Sequence, residues 1–246
     1  EFRRVLFRSL AAFITDRIES ALSAQGVTGF DLRVPHMSPA SARRRVSLRA
    51  ERRGKQILLG FNAAKSHRII DLAQCPVMHP ELEALIKPLR ALLGLCLADR
   101  RGANIRMTLA DQGVDLLIAG VEAEGLDAAE ALSRFAQTHG LARLSLDEGY
   151  GPTARWEPEP VTVALGGVAV GLPEGAFLQA TADGQAALQA AVRDAVGEAT
   201  RSARSLGVSP VRHSISSRQA ARVTMTSTVC CQQLPSLMRA TALSFC

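Results

Sequence analysis

Apolar positions along this chain recur with two different periods, and the switches between them mark its elements. Phe13, Ile14, Ile18, Ala21 and Leu22 fall at helical spacing until Gln25-Gly26 ends the run, which predicts a first helix over 10–25. Phe30 to Val34 alternates towards Pro35 as a strand does. Val46, Leu48 and Ala50 alternate with polar residues, Gly54-Lys55 turns the chain, and Ile57 to Phe61 returns it, which predicts an antiparallel hairpin. His79-Pro80 opens a helix with Leu82, Leu85, Ile86, Leu89, Leu92, Leu93 and Cys96 on its apolar side, kinked or broken at Pro88. Asn104 to Leu109 and Val114 to Val121 form a second hairpin about Asp111-Gln112-Gly113. Asp127 caps a helix that runs to His139 with Gly140 at its C′ position, and Leu141 to Leu146 is a further strand. A Gly- and Pro-containing loop with the only Tyr and the only Trp follows.

Two short apolar arms, Val161 to Leu165 and Val168 to Gly171, meet at Gly166-Gly167, where the pair of glycines supplies the positive φ of a tight hairpin turn. A loop from Glu174 to Ala182 then leads to a helix with Asp183 as N-cap and Ala186, Ala187, Ala190, Ala191 and Val196 at helical spacing. Strands outnumber helices and are mostly joined by short turns. The fold class is therefore α+β, a largely antiparallel sheet with flanking helices.

Composition changes this picture mainly at the two ends. With 246 residues and 47% hydrophobic content the chain is large enough for a real core. Its formal charge of +6 points to a nucleic-acid partner until the charge is located. Residues 1–9 carry three Arg and one Glu, and residues 201–246 carry six Arg and no acid, so 10–200 holds 20 bases against 22 acids. Residues 1–9 resemble a translated sequencing adapter and are set aside. Residues 201–246 lack Lys, Asp, Glu and any sustained period, and read as disordered or out-of-frame, with a polar C-terminal tail as the other reading. No apolar run approaches the roughly 20 residues of a membrane-spanning helix, and five Cys, two of them adjacent at Cys230 and Cys231, give no disulfide framework. The expectation is a cytoplasmic monomer.

The internal basic cluster lies between Ser38 and Arg68: Arg43, Arg44, Arg45, Arg49, Arg52, Arg53, Lys55, Lys65 and Arg68 against the single acid Glu51. Such a hairpin is either a sheet edge whose charges block edge-to-edge pairing or a surface that contacts phosphates. Cys75, alone before Pro76, reads on composition as a small buried hydrophobe. The five His are scattered, Asp111 and Asp115 share no helical face, and nucleotide-binding glycine loops, paired Cys-x-x-Cys and nucleophile elbows are absent from the sequence.

Three stretches together resemble the bacterial RNA uracil-5-methyltransferases. They are Pro173-Glu174-Gly175-Ala176-Phe177-Leu178-Gln179-Ala180-Thr181 before a helix; Arg43 to Arg45 on a strand with Leu59 to Phe61 after it; and Ser66 to Val77, which contains Cys75-Pro76-Val77. The hairpin about Asp111 is similar to a structural hairpin of the same family. The resemblance covers about 10–200, the middle of the family, so the implied organisation is a central α+β domain over 10–182 and, over 183–200, the first helix of a Rossmann-like S-adenosylmethionine domain that is missing or truncated here.

The resemblance implies methyl transfer from S-adenosylmethionine to C5 of a uridine in ribosomal or transfer RNA. In such enzymes a Cys thiolate adds to C6 so that C5 can attack the methyl group, and a carboxylate then removes the C5 proton; the target base leaves its stack to reach the site. Neither catalytic role is carried onto this chain, because the surroundings of Cys230, Cys231 and Cys246 do not match. Gln179 matches a cofactor-contacting position, and Arg43, Arg44, Arg45, Lys65, His67 and Phe177 are the implied RNA contacts. Many members hold a [4Fe-4S] cluster through four Cys. Cys75 matches the fourth, but no Cys precedes it, so no cluster is expected in this chain.

The expected function is therefore a methyltransferase fragment, inactive by itself; the alternative is a self-sufficient RNA-binding or scaffold domain. The coding frame downstream of Thr200 separates them, since another frame that restores a glycine-rich cofactor motif and a later Cys would mark a fragment. Limited proteolysis is expected to remove 201–246 while 10–197 resists, because the tail has too little patterned apolar surface to offset ordering entropy. Protection of the last 46 residues with cutting elsewhere would refute this.

Overall fold

A computed structural model describes residues 2–121, 123 and 125–205. The expectation for the tail falls mostly on 206–246, outside the described residues, as do Cys230, Cys231 and Cys246. The described chain forms two compact units, 39–182 and a second made of 2–38 with 183–205. Residues 10–38, grouped with the central domain on sequence grounds, thus fall in the other unit.

Unit 39–182 is built on a seven-stranded sheet of order β3-β2-β1-β4-β5-β6-β7. Its strands are β1 (Arg45–Arg53), β2 (Gln56–Asn62), β3 (Ile69–Asp71), β4 (Gly102–Ala110), β5 (Gly113–Ala119), β6 (Arg143–Asp147) and β7 (Pro152–Trp156). All neighbours are antiparallel except β5 and β6, which run parallel. That parallel pair needs a crossover, supplied by helix α4 (Leu126–Thr138). Both hairpins expected from the alternation, β1–β2 and β4–β5, are present, and the sheet is largely antiparallel as the α+β reading requires.

The helix expected from Pro80 is two pieces, α2 (Pro80–Ala84) and α3 (Ile86–Cys96), with the break at Leu85 rather than at Pro88. Pro88 is tolerated because it stands in the first turn of α3, where its missing N–H has no intrahelical acceptor anyway. His79 is the N-cap of α2, its Nδ1 accepting from the Glu81 N–H at 3.4 Å. The N-cap of α4 is Gly125, and Asp127 instead sits in the first turn, where a carboxylate favours the helix dipole. β7 lies where the Gly and Pro content points to a loop; Pro152 is its first residue, where a strand tolerates proline.

The main core forms where the apolar faces of the sheet and of α2, α3 and α4 meet. Val46, Leu48, Ala50, Leu59, Ile105, Met107, Leu116, Ile118, Leu144 and Leu146 pack with Met78, Leu82, Leu89, Leu93 and Leu132. A smaller apolar cluster joins Ala110, Ala142, Val161, Val163, Leu172 and Leu178. It ties in the two-stranded hairpin β8 (Thr162–Leu165) and β9 (Val168–Gly171), whose turn places Gly166 and Gly167 at φ 64° and 88° as expected.

In the other unit, α1 (Phe2–Ala24) begins earlier than residue 10 and ends at Gly26, with the Val27 N–H returning to the Leu22 carbonyl at 3.0 Å. Phe30 to Val34 is not a strand: the alternation is there, but no neighbouring strand among the described residues pairs with it, and Val34 is 91% exposed. Arg33 and His36 of this segment instead pair with Asp194 and Asp183 of α5 (Ala182–Ser205), at 3.2 and 2.7 Å.

Gly60 tests the sheet edge. A Cβ at this position of β2 would lie 1.9 Å from the Ile70 carbonyl oxygen, a backbone atom of β3 that cannot swing away. Gly60→Ala is expected to cost about 1–3 kcal/mol by overpacking, read by urea denaturation, whereas Gly54→Ala, with nothing within 4 Å, carries only the cost of its positive φ. Equal losses would show that β3 is not held where it lies.

Candidate nucleic-acid interface

Strand alternation assigns opposite chemistry to the two faces of the large sheet. Val46, Leu48 and Ala50 of β1 and Ala103, Ile105 and Met107 of β4 go to the main core, so Arg45, Ser47, Arg49 and Glu51 with Asn104, Arg106 and Thr108 lie on the other face. The register sets Arg49 opposite Asn104, Ser47 opposite Arg106, and Arg45 opposite Thr108. Further along, Asp115, Leu117, Arg143 and Ser145 of β5 and β6 share this face.

Across the β5–β6 part lies the Pro-Gly loop 172–181, pinned by side chains of the sheet. Arg143 is buried and donates through Nε and Nη2 to the two carboxylate oxygens of Asp115, at 2.9 and 2.8 Å, and through Nη2 to the Leu172 carbonyl at 3.1 Å. Burial would lower the Arg143 pKa, but the Asp115 hydrogen bonds and charge, with Glu157 and Glu174 nearby, outweigh it and hold the guanidinium charged. The fully buried Ser145 hydroxyl donates to Glu174 at 2.9 Å. Arg44 donates through Nε to the Gln179 carbonyl at 3.1 Å, its backbone N–H bonds the Ala180 carbonyl at 2.8 Å, and Arg45 Nη1 bonds the Leu178 carbonyl at 2.9 Å.

Held this way, the loop buries Leu178 and leaves the Phe177 ring 65% exposed. The Arg45 guanidinium carbon stands 5.0 Å from the centre of that ring, within cation–π range. Burial, then the like charges of Arg43 and Arg106, lower the Arg45 pKa. The cations crowd one another, an arrangement that an incoming anion relieves. Arg106 has no hydrogen-bond or ion-pair partner among the described residues.

The residues named from the sequence thus divide. Arg43, Arg45 and Phe177 stand together beside the loop. Arg44 is turned inward, and its charge serves the Gln179 carbonyl. Gln179 is half-buried. Lys65 and His67 are exposed on the connection between β2 and β3. Cys75 is 2% exposed within the main core, its N–H bonded to the Glu83 carboxylate at 2.9 Å. Cys96 is half-buried, and burial pushes its thiol pKa up. Among the described residues no three His, Cys, Asp or Glu side chains assemble a metal site, so this donor set does not fit a [4Fe-4S] cluster.

Asp111 accepts from the Thr162 hydroxyl at 2.9 Å and the Ala164 N–H at 3.2 Å, and Asp115 is committed to Arg143, so neither is available as an acid or base. Arg106 and the Arg143–Asp115 pair were missed in the sequence. The signal for Arg106 was present, since Asn104, Arg106 and Thr108 alternate with three apolar residues. Nothing local marks Arg143, whose partner is 28 residues away.

A basic sheet face carrying a pinned loop with an exposed aromatic ring has the ingredients found in surfaces that bind nucleic acid. No protein-family model matches the chain. It is 48% identical over 187 residues to an uncharacterized RNA methyltransferase of Zymomonas mobilis, covering 76% of this chain and 47% of that protein. An uncharacterized RNA methyltransferase of Mesorhizobium japonicum is 38% identical over 139 residues, 56% of this chain and 33% of its own length. The 23S rRNA (uracil(1939)-C(5))-methyltransferase RlmD of Klebsiella pneumoniae is 36% identical over 100 residues, 41% of this chain and 23% of that enzyme. Over 41% to 76% of its length the chain is thus similar to these three proteins named as bacterial RNA methyltransferases. It spans less than half the length of each of the three. Among the described residues no helix is long and apolar enough to cross a membrane.

Asp115→Ala leaves the buried Arg143 charge without its carboxylate and is expected to cost about 3–5 kcal/mol. Hydrogen exchange at 172–181 should accelerate with it, because Arg143 also holds the Leu172 carbonyl. Unchanged exchange in that loop would show that the pair does not position it.

Proposed function

We propose that this chain is the RNA-handling part of an S-adenosylmethionine-dependent methyltransferase that modifies C5 of a uridine in ribosomal or transfer RNA, and that by itself it does not transfer a methyl group. The observation that carries the reading is the loop 172–181, fixed by Arg44, Arg45 and Arg143 so that Phe177 projects beside a cluster of arginines. Phosphates neutralise such a cluster without regard to sequence, and an exposed ring gives an unstacked base a surface to lie on. Likeness to relatives named as RNA methyltransferases supports the substrate class, and the Klebsiella pneumoniae enzyme supports uracil C5.

S-adenosylmethionine would supply the methyl group. Gln179, on the same loop, contributes one wall of its site. The Arg44 hydrogen bond to the Gln179 carbonyl fixes that residue's backbone relative to the basic face. Covalent attack on C6 requires an accessible thiolate. Cys75 is enclosed by apolar side chains and Cys96 is held in its thiol form by burial, so neither supplies it. Partial coverage of the relatives accords with a catalytic part that lies outside the described residues.

Arg43→Glu with Arg45→Glu is expected to weaken RNA binding about tenfold or more and to flatten its dependence on salt, since each phosphate contact contributes to that slope. Filter binding across a salt series reads both. A tritiated-methyl transfer assay on unmodified RNA should stay at background, with calorimetry showing no micromolar binding of S-adenosylmethionine. Turnover by the chain alone would overturn the inactive assignment, and an unchanged salt slope would remove the basic cluster from the RNA site.

A further inference from the structure

A second polar groove opens on the same sheet face, at the opposite end of β1 from the loop 172–181. It is lined by Arg49 and Glu51 of β1, Asn62 of β2, His67, Arg100, and Gly102 with Asn104 of β4, and has a volume of about 510 Å³. Arg45 and Arg49 are four residues apart on one strand, about 13 Å along it.

Arg49 is seated, not merely exposed. Its Nη1 donates to the Asn104 amide oxygen at 2.9 Å, and its guanidinium lies over the Cα of Gly102. A Cβ at Gly102 would come within 2.5 Å of Arg49 Nη2, so only glycine leaves the seat open. No carboxylate pairs with Arg49 within ion-pair distance among the described residues. Arg100 is exposed, with Asp99 no nearer than 4.0 Å. The one acid in the groove, Glu51, is bound by Arg53 through Nε at 2.6 Å and Nη2 at 3.2 Å. Those hydrogen bonds hold the Glu51 carboxyl below its ordinary pKa against the opposing effect of burial, with the charges of Arg53 and Arg49 assisting. At neutral pH Glu51 is thus a fixed acceptor beside two cations, Arg49 and Arg100, that make no hydrogen bond to it among the described residues.

We propose that this groove binds a ribose-phosphate unit of RNA, with Arg49 and Arg100 on the phosphate and Glu51 accepting a hydrogen bond from the ribose 2′-hydroxyl. The inference rests on the RNA reading above and adds to it a second contact and a source of discrimination. Guanidinium groups suit phosphate because their forked N–H donors match its oxygens. A carboxylate next to them would repel a bare anion, but it gains from a neutral hydroxyl donor at the distance a ribose provides. DNA lacks that hydroxyl and leaves the Glu51 carboxylate facing the strand without a donor from the ligand.

The test uses the whole chain with a short single-stranded oligoribonucleotide and its deoxyribonucleotide counterpart, by fluorescence anisotropy over a salt series. Wild type should prefer RNA. Arg49→Ala with Arg100→Ala should weaken RNA binding about tenfold and reduce the salt slope by about 0.7, the value for one phosphate contact on a single strand. Gly102→Ala keeps every charge but displaces the Arg49 guanidinium, and should weaken RNA binding several-fold. Glu51→Ala should abolish the preference for RNA over DNA. Thermal unfolding midpoints confirm that each variant is folded. Groove variants that bind like wild type while Arg43→Glu with Arg45→Glu does not would overturn the groove and leave the RNA reading standing. Equal wild-type affinity for RNA and DNA would overturn the role of Glu51, and a folded wild type that binds neither would overturn both readings.

Discussion

The buried pair of Arg143 and Asp115 is the constraint on which this molecule's working face depends. Removing two charges from water is expensive, and their mutual attraction offsets the cost only where the geometry is good and the remaining donors are used. Here both carboxylate oxygens are engaged by one guanidinium, and the same guanidinium reaches the Leu172 carbonyl. The pair spans β5 and β6, the two parallel strands, at opposed positions of their register. It therefore closes the sheet where no hairpin turn does, and it offers a donor at the point where the chain leaves β9 and turns back over the face.

Other bonds to that loop run the same way: the Arg44 and Arg45 side chains and the Arg44 backbone N–H donate to its carbonyls, and the Ser145 hydroxyl donates to its Glu174 carboxylate. Loops carry many unpaired backbone groups, and a loop on a sheet face must satisfy them there or in water. Arginine is suited to this because one guanidinium serves several acceptors. Arg90 shows the same use at the sheet edge, bonding the carbonyls of Ile57, Leu59 and Leu72 with Asp71 as its ion-pair partner, and Arg52 closes the carbonyl end of α3 through Gly94 and Leu97. A basic stretch can therefore be a framework of carbonyl clamps, and its net charge is a poor count of cations available to a ligand.

That division limits what was legible in the sequence. The alternation of Val46, Leu48 and Ala50 and of Ile105 and Met107 located both hairpins, since burial of one face of an antiparallel sheet leaves a period of two. Phe30 to Val34 shows the same period and forms no strand, because a strand exists only where another offers its free edge, and that is a property of the fold. Arg44 and Arg45 are neighbours of one residue type and both clamp the loop, yet Arg44 is buried while Arg45 stands under Phe177; alternation separates them only once the buried face is known. Phe177 and Gln179 are singled out by their motif, whereas nothing local marks Arg143, whose contacts lie across the sheet.

The openness of the working face is itself a consequence of topology. β5 and β6 are parallel, so the chain must cross over between them, and right-handed crossovers place the intervening helix on a definite side. α4 packs there with α3, and α2 and α3 arise from the connection between β3 and β4 and share the core with it. With all three helices on one side, the opposite face of this unit carries the small apolar cluster and the loop 172–181. The β1 and β4 positions beyond the reach of that loop meet no apolar layer among the described residues of this unit, so they tolerate Arg49 and Asn104 at little cost in desolvation. A charged, flat surface of this kind is what a polyanion can approach. It arises because the core was completed on the other side.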